Sequence, residues 1–219
     1  MINSVNFGTH EVECSISVET ALERRLLILG KGCQVAPTVR IVHCEDDGRF
    51  HGPIEIGDGA IVREFVVLCS GVHIGRHVLV GHHCVLRRLA RIGDDSVLSH
   101  LVSVQHDVTI GTLVRVSSLT HLTGGCLIED RVQIGAGVAT IDDNALEWPN
   151  PTELKAPVFR EGCRIGSGCS ILSGVEIGRN TVIGAGSVVT RSMPENVVAF
   201  GNPAYIQRDR KPADPRKAE

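Results

Sequence analysis

Residues 54–80 read IEIGDGAIVREFVVLCSGVHIGRHVLV, and from there to Ile134 an aliphatic side chain returns at every sixth residue. The fourteen residues that carry this period are Ile56, Val62, Leu68, Ile74, Val80, Leu86, Ile92, Leu98, Val104, Ile110, Val116, Leu122, Ile128 and Ile134. A helix repeats every ~3.6 residues and a strand every ~2, so neither produces this period. The stretch therefore predicts a solenoid, in which short strands and turns alternate and the aliphatic side chains stack into one core.

The same period extends to both sides of this stretch, but it is broken twice. It begins at Leu29 and, after the second break, runs from Ile165 to Val189. The breaks, at 43–52 and 142–157, are rich in polar residues or prolines, which is typical of loops. We therefore expect one all-β solenoid domain from which two loops protrude.

These boundaries divide the chain into three segments. Residues 1–27 do not follow the period, and the spacing of their apolar residues favours a short helix. The solenoid occupies residues 28–191. Residues 192–219 form a tail whose end is rich in charge and proline, for which we expect a frayed terminus.

Composition and charge narrow the classes of partner. Aromatic residues are 3% of the chain, so valine, isoleucine and leucine must fill the core. The formal net charge of -3 provides no electrostatic reason to bind nucleic acid or an anionic membrane. The sequence shows no charged-then-apolar leader and no apolar run of membrane-spanning length. We therefore expect a soluble cytoplasmic protein with a small-molecule or protein partner and no membrane partner.

The eight cysteines show no C-x-x-C pair and do not suggest a disulfide framework or a metal site. Four of them follow an inward aliphatic residue by four positions, a place that elsewhere holds Ala, Val or Ser: Cys84, Cys126, Cys163 and Cys169. We expect these four to be buried, reduced thiols that pack the core.

The repeats IGDG, IGRH, IGDD, IGSG and IGAG, together with the ending VVAFGNPA, resemble the hexapeptide-repeat acyltransferases. This resemblance covers most of the chain. It implies a left-handed parallel β-helix with three hexapeptides in each coil. It also implies homotrimers that bind an acyl-CoA donor, here acetyl-CoA, between neighbouring subunits.

The stretch VQHDVTIGTLVRVSSLTHLTGG, residues 104–125, resembles the catalytic segment of sugar-nucleotide acetyltransferases that act on amino-sugars or sialic acid. By that resemblance His106 is the general base and Asp107 orients its ring or stabilises the imidazolium. Gly124 is the position at which the family offers a backbone N–H to the thioester oxygen. The family's second nearby histidine is replaced by Arg115. The competing interpretation is that His106 is a surface histidine on a polar turn.

The coil length of eighteen residues that the resemblance implies places further candidates around His106. Arg88, one coil earlier, is a substrate-binding candidate. His82 and His100 share one face and either line the acceptor pocket or serve structural roles. The loop residues Asp142, Asp143 and Asn144 loosely match a substrate-contacting excursion of related enzymes, and trimer packing is the alternative. Coenzyme A contacts are implied by the resemblance for Gly184, Ala185, Gly201, Asn202, Pro203 and Arg208, and a solvated basic tail is the alternative for Arg208.

The spacing of the histidines does not match a zinc site of the γ-class carbonic anhydrase type. That class shares the left-handed β-helix and binds zinc through three histidines. The positions that match its ligands, counted from His106 and from His82, are Leu101, Phe65 and Ser118, which are not ligands. No metal is therefore expected.

Taken together, the sequence indicates an acetyltransferase that transfers an acetyl group from acetyl-CoA to an amine of a nucleotide-linked amino-sugar, with His106 as general base. One alternative keeps the fold and donor but transfers to a hydroxyl of a sugar or another small acceptor. Another is a non-catalytic β-helix scaffold. The identity of the sugar, its nucleotide and the acylated position lies in loop contacts that the sequence does not specify.

Overall fold

A computed structural model describes residues 15–43, 49–146 and 153–210. The described chain winds into a parallel β-helix with three flat sides, and each side is one sheet. Successive short strands belong to the first, second and third sheet in turn, so three hexapeptides complete one coil. The predicted all-β solenoid is confirmed. Within the described residues, no helix is long and apolar enough to cross a membrane.

Each sheet contains one strand from each coil. The first sheet consists of Ser15–Ser17, Arg40–Val42, Val67–Cys69, Val85–Leu86, Ser103–Val104, His121–Leu122, Ala139–Thr140, Ser170–Ile171 and Val188–Val189. The second sheet consists of Leu27–Leu29, Ile54–Ile56, His73–Ile74, Arg91–Ile92, Thr109–Ile110, Leu127–Ile128, Val158–Phe159 and Glu176–Ile177. The third sheet consists of Gln34–Val35, Ile61–Val62, Leu79–Val80, Val97–Leu98, Arg115–Val116, Gln133–Ile134, Arg164–Ile165, Val182–Ile183, Val197–Gly201 and Ala204–Asp209.

Residues eighteen positions apart pair across neighbouring strands. In the first sheet Leu86 pairs with Val104, and Val104 pairs with Leu122. The pairing continues across the second loop, where Ala139 pairs with Ser170. Because the loop bulges outward without disturbing the pairing, a residue's place in the coil still decides which side of the prism it occupies.

The core is a column of stacked aliphatic side chains. All fourteen residues that carry the period are buried, and a fully buried aliphatic side chain contributes ~1.5–3 kcal/mol of hydrophobic stabilisation. The four cysteines expected in the core are buried and free, which confirms their packing role. Burial raises the pKa of the Cys126 and Cys163 thiols to about 12 and that of Cys84 to about 11. These thiols are therefore neutral at physiological pH.

Both loops leave the prism at the same edge, where the first sheet turns into the second. We call this the loop edge, and its turns include Arg88, His106 and Gly124. The first loop lies between the strands Arg40–Val42 and Ile54–Ile56, and the second between Ala139–Thr140 and Val158–Phe159. His106 therefore lies on the stretch of edge that the two loops bracket.

The other two edges have different chemistry. We call the turn from the second to the third sheet the aspartate edge, where Asp94 Oδ1 accepts the Arg76 N–H at 2.7 Å and Asp130 Oδ1 accepts the Thr112 N–H at 2.8 Å. We call the turn from the third to the first sheet the histidine edge, which holds His82 and His100. On the aspartate edge, each of these carboxylates accepts a backbone N–H of the preceding coil, so turn side chains hold neighbouring coils together.

The helix Val18–Glu23 packs at the N-terminal end of the prism. Its N-cap residue is Ser17, whose Oγ accepts the Thr20 N–H at 3.2 Å, and its Ala21 is fully buried. The helix thus covers apolar surface that the first coil would otherwise expose.

A hairpin ends the described chain and differs from the expected frayed tail. The strands Val197–Gly201 and Ala204–Asp209 pair antiparallel, and Val198 pairs with Val182 of the third sheet. The prediction of a frayed terminus is wrong for Arg208 and Asp209, because hairpin hydrogen bonds outweigh the charged composition. Residues 211–219, the remainder of the predicted tail, lie outside the described residues.

Candidate active site

His106 and Asp107 form a hydrogen-bonded pair on the loop edge. His106 Nδ1 lies 2.9 Å from Asp107 Oδ2. Asp107 adopts a left-handed turn conformation with φ of 59°, which Asp tolerates, and its N–H donates to the Arg88 carbonyl at 3.1 Å. Since a carboxylate only accepts, the neutral ring carries its proton on Nδ1. The lone pair of Nε2 is then available as a base, on a side chain that is 36% exposed.

Gly124, one coil later, lies directly against the His106 ring. A Cβ added to Gly124 would lie 2.7 Å from His106 Cε1 and 2.8 Å from Nε2. Gly125 follows with φ of 74°, and its N–H donates to the His106 carbonyl at 2.9 Å. No described residue accepts a hydrogen bond from the Gly124 N–H. The two glycines therefore let the backbone of the next coil lie directly against the His106 ring.

Hydrogen bonds hold the described ends of the second loop to the coils next to His106 and Asp107. Lys155 N–H donates to the Asp142 carbonyl at 2.8 Å, which closes the base of the loop. Asn144 Oδ1 accepts the Ser173 N–H at 3.0 Å. Asp143 Oδ1 accepts the N–H groups of the two residues after Asn144, at 2.8 and 3.0 Å. The oxygens of two predicted substrate contacts thus take part in holding the loop.

Near the same loop, His121 occupies an outward position of the first sheet, three residues before Gly124. Burial lowers the pKa of His121, and the nearby Asp142 carboxylate opposes that shift by raising it. His121 is therefore a largely neutral, half-buried neighbour of the loop. Its signal in the sequence is only its position within the resembling segment, which could not distinguish it from a structural histidine.

His82 and His100 lie on the histidine edge, apart from His106. Their rings stack with centroids 5.1 Å apart, and His100 Nδ1 accepts the His82 N–H at 3.2 Å. His82 Nδ1 also lies 3.0 Å from Glu64 Oε2. Within one chain, the structure brings together Arg88, His106, Asp107 and Gly124, and it places these two histidines on another edge.

The predicted coenzyme A residues gather at the third sheet. A groove of about 570 Å³ is lined there by Gly184 and Ala185, and Arg115 and Arg164 also line it. Arg115, which stands where the family has a second histidine, therefore lies in this groove and not beside His106. A Cβ added to Gly184 would lie 2.7 Å from Phe200 Cβ, so the C-terminal hairpin packs against the groove.

The hairpin turn carries the remaining residues of the predicted coenzyme A set. Gly201 has φ of 115°, a conformation that favours glycine, and the Asn202–Pro203 peptide bond is cis. Arg208 is exposed on the following strand and donates to the Asp209 carbonyl at 3.3 Å. These residues adjoin the third sheet, which is the side of the prism opposite the loop edge.

Among the described residues, no three His, Cys, Asp or Glu side chains are grouped so that they could hold a metal ion.

This chain is similar in sequence to a family of known proteins. The sequence matches the family model described as bacterial transferase hexapeptide (six repeats) over residues 52–88 and 157–191. It is similar to the bifunctional protein GlmU of Alkalilimnicola ehrlichii, with 30% identity over 192 residues that cover 88% of this chain and 37% of the relative. The GlmU of Carboxydothermus hydrogenoformans is 26% identical over 183 residues, covering 83% of this chain and 36% of the relative. The chain spans little more than a third of the length of these relatives.

Solved structures agree on the fold. A UDP-N-acetylglucosamine acyltransferase from Campylobacter jejuni superposes with a TM-score of 0.62 at 16% identity, covering 83% of this chain and 72% of that one. The polySia specific acetyltransferase NeuO gives a TM-score of 0.52 at 20% identity, covering 88% and 86%. The predicted left-handed parallel β-helix of hexapeptide repeats is thereby confirmed.

Proposed function

We propose that this chain, which carries the hexapeptide repeats of the bacterial transferases, transfers an acetyl group from acetyl-CoA to the amine of a nucleotide-linked amino-sugar. The observation that carries the proposal is the contact of His106 with both Asp107 and Gly124. Acyl transfer requires a base that a carboxylate holds in place and a backbone N–H donor for the oxygen of the reacting carbonyl.

His106 acts first in the proposed mechanism. As the amine nitrogen attacks the thioester carbonyl, Nε2 accepts a proton from it, and the Asp107 carboxylate stabilises the imidazolium that forms. The Gly124 N–H donates to the oxygen that becomes negatively charged. When the carbon–sulfur bond breaks, His106 returns the proton to the leaving sulfur. The products are the acetylated amine and the free thiol of coenzyme A.

Direct attack by the amine is supported by the state of the cysteines. Cys126, two residues after Gly124, is buried, and burial raises the pKa of its thiol to about 12. A neutral, inaccessible thiol is a poor nucleophile, because the thiolate is the reactive form. Cys126 therefore does not serve as an acyl carrier.

The donor is proposed to bind in the third-sheet groove. Arg115 and Arg164 suit the phosphates of coenzyme A, and Arg208 adds a further cation at the hairpin. The backbone at Gly184 and Gly201 suits the close approach of the pantetheine chain. Because this groove lies on the side opposite His106, one chain cannot apply both to the same thioester. The complete site is proposed to form between neighbouring copies, in the homotrimer that the sequence resemblance implies.

The test is acetyl-CoA consumption by the purified protein against a panel of nucleotide-linked amino-sugars, with the His106→Ala variant beside the wild type. We expect one acceptor to stimulate thiol release, and we expect the variant to lose about 10²–10⁴-fold in kcat, the usual contribution of a general base. Calorimetry of acetyl-CoA binding to the wild type and to the variant checks that the donor site is intact in both. Unchanged turnover in the variant would remove His106 from the mechanism, and absence of acetyl-CoA binding by the wild type would favour the scaffold interpretation.

Transfer to a hydroxyl is a second candidate, favoured by the Asp107 contact itself. A hydroxyl is a weaker nucleophile than an amine and depends more on a positioned base. Loss of His106 should therefore nearly abolish transfer to a hydroxyl, whereas an amine acceptor should regain part of its rate at high pH. Comparing the pH dependence of the His106→Ala variant on amine and hydroxyl acceptors separates the two.

A further inference from the structure

Two polar residues lie beside the candidate site on the outward face of the first sheet. Ser103 precedes His106 by three residues, and His121 precedes Gly124 by three. Their strands are neighbours, and the two residues pair directly across them. They belong to the column formed by the residue before each inward residue of this sheet, which consists of Val67, Val85, Ser103, His121, Ala139, Ser170 and Val188. The column thus carries a hydroxyl and an imidazole on the same two coils as the proposed base and its glycine.

A hydrogen-bond chain runs along this face and ends at Ser103. Arg87 Nη1 donates to Gln105 Oε1 at 3.2 Å, and Gln105 Nε2 donates to Ser103 Oγ at 3.2 Å. Because a guanidinium only donates, the Gln105 amide must turn its oxygen towards Arg87 and its nitrogen towards Ser103. The Ser103 oxygen is therefore an acceptor, and its own proton has no acceptor among the described residues. The Ser103 O–H can then donate to a ligand.

His121 offers complementary groups one coil later. Its ring is half-buried and has no hydrogen-bond partner in the described part of the chain. Burial lowers the pKa of His121, so the ring is largely neutral at physiological pH. A neutral imidazole carries one N–H donor and one acceptor nitrogen. Its neighbours in the column, Ser103 and Ala139, are small, so a ligand on this face can approach the ring.

We propose that Ser103 and His121 bind hydroxyl groups of the acceptor sugar while its amine lies at His106. This inference rests on the proposed function, because it names where the acceptor of that reaction binds. Three residues of a strand span at most ~10 Å, and neighbouring strands are ~4.8 Å apart, so both side chains lie close enough to contact the side of the sugar remote from the amine. A sugar hydroxyl can accept the Ser103 proton and donate its own to the imidazole.

The chemistry of this pair favours hydroxyl groups over the phosphates of a nucleotide-linked sugar. Phosphates are recognised best by charged donors such as arginine, whereas Ser103 and a neutral His121 offer uncharged groups. A site that hydrogen-bonds a substrate hydroxyl discriminates against the analogue that lacks it, because the polar groups of the site then stay unpaired. We therefore expect the acceptor to carry hydroxyl groups remote from its amine, and its deoxygenated analogues to be poor acceptors.

Steady-state kinetics test the proposal with the acceptor of the panel that stimulates thiol release. Ser103→Ala and His121→Phe should each raise the KM for that acceptor about tenfold, the usual effect of losing one hydrogen bond. The kcat and the KM for acetyl-CoA should change less than about twofold, because the lost contact is made equally before and during the reaction. Ser170→Ala is the matched control, since it removes a hydroxyl from the same column two coils beyond His121, and its acceptor KM should equal that of the wild type.

Acceptor analogues that each lack one sugar hydroxyl show whether the contact is direct. One analogue should lose as much with the wild type as the parent acceptor loses with Ser103→Ala, and the variant should use both equally well, since effects on one shared contact do not add. Additive losses for every analogue would overturn the inference. An unchanged acceptor KM in either variant, a fall in kcat without a rise in KM, or an equal rise in the control would also overturn it.

These outcomes are separable from those that test the proposed function. Turnover of an acceptor with wild-type KM in the Ser103 and His121 variants upholds the proposed function and removes this binding role. If no acceptor of the panel stimulates thiol release, the proposed function fails, and the role of these two residues as sugar contacts fails with it.

Discussion

At the scale of single residues, His106 is defined by what surrounds it more than by its own identity. The chain has ten histidines, and several lie on turns beside a carboxylate, such as His77, whose Nδ1 is 3.3 Å from Asp95 Oδ1. A glycine lies against each of these rings, since an added Cβ would lie 2.7 Å from His77 Cδ2 at Gly59 and 2.7 Å from His106 Cε1 at Gly124. The Gly59 N–H donates to the Lys31 carbonyl at 2.8 Å, whereas no described residue accepts the Gly124 N–H. What sets His106 apart from His77, within the described residues, is the backbone donor at Gly124.

Gly124→Ala should therefore impair the site without removing any catalytic side chain. The added Cβ would lie 2.7–2.8 Å from atoms of the His106 ring, so the ring must shift. The shift carries Nε2 away from the position in which it would accept the proton. We expect kcat to fall at least tenfold, since small displacements of a base cost orders of magnitude. Steady-state kinetics with acetyl-CoA checks this.

Gly32→Asn is the control for that substitution. It places a side chain on another turn where an added Cβ meets nothing within 4 Å, and Asn tolerates the local φ of 69°. Its kcat should stay within about twofold of the wild type, because Gly32 lies on the aspartate edge of the first coil, away from both His106 and the proposed donor groove. Wild-type kcat in Gly124→Ala would mean that the contact with His106 does not matter.

At the scale of elements, the strand Ala139–Thr140 connects the core to the second loop. Thr140 is buried, and its Oγ1 accepts the Thr123 N–H at 2.7 Å and lies 3.1 Å from the His121 carbonyl, to which it donates. These bonds join the coil that contains Gly124 to the coil from which the loop leaves. The Thr140 hydroxyl therefore connects the base of the second loop to the turn that contains Gly124.

Thr140→Val keeps the shape of this side chain and removes the hydroxyl. The buried Thr123 N–H then loses its acceptor, which costs about 1–3 kcal/mol in the free energy of unfolding. Urea denaturation measures this loss, and Thr140→Ser, which keeps the hydroxyl, should recover most of it. Equal stability of Thr140→Val and the wild type would show that the hydroxyl is dispensable.

Predictions from the sequence succeeded for the regular coils and failed for the hairpin and the loop contacts. The six-residue period predicted the buried column. The coil length of eighteen residues, which the family resemblance implies, placed Gly124 beside His106, because coil pairing is regular. The C-terminal hairpin was not predicted, since its antiparallel partner strands carry no period. The bonds of Asp143 and Asn144 within the second loop were equally out of reach, because loop geometry depends on contacts with distant coils such as the one at Ser173.

At the scale of the whole molecule, the proposed roles fall on different sides of the prism. The loop edge carries His106, the proposed base, and the third sheet carries the groove proposed for the donor. The first sheet lies between them and presents few charged side chains. The second sheet is stabilised differently, by ion pairs in which Arg160 contacts Glu129 at 2.8 Å and Glu176 at 2.9 Å.

The most direct measurement of the shared site is complementation between two inactive variants. His106→Ala lacks the base, and Gln133→Trp fills the third-sheet groove at an exposed residue that lines it. Each variant alone should be nearly inactive. Co-expressed in equal amounts, they should recover about a quarter of wild-type activity, because random assembly through a head-to-tail interface pairs an intact base with an intact groove at one contact in four. A co-expressed mixture that is no more active than the variants alone, although mass spectrometry shows mixed oligomers, would contradict a site formed by His106 of one copy and the groove of its neighbour.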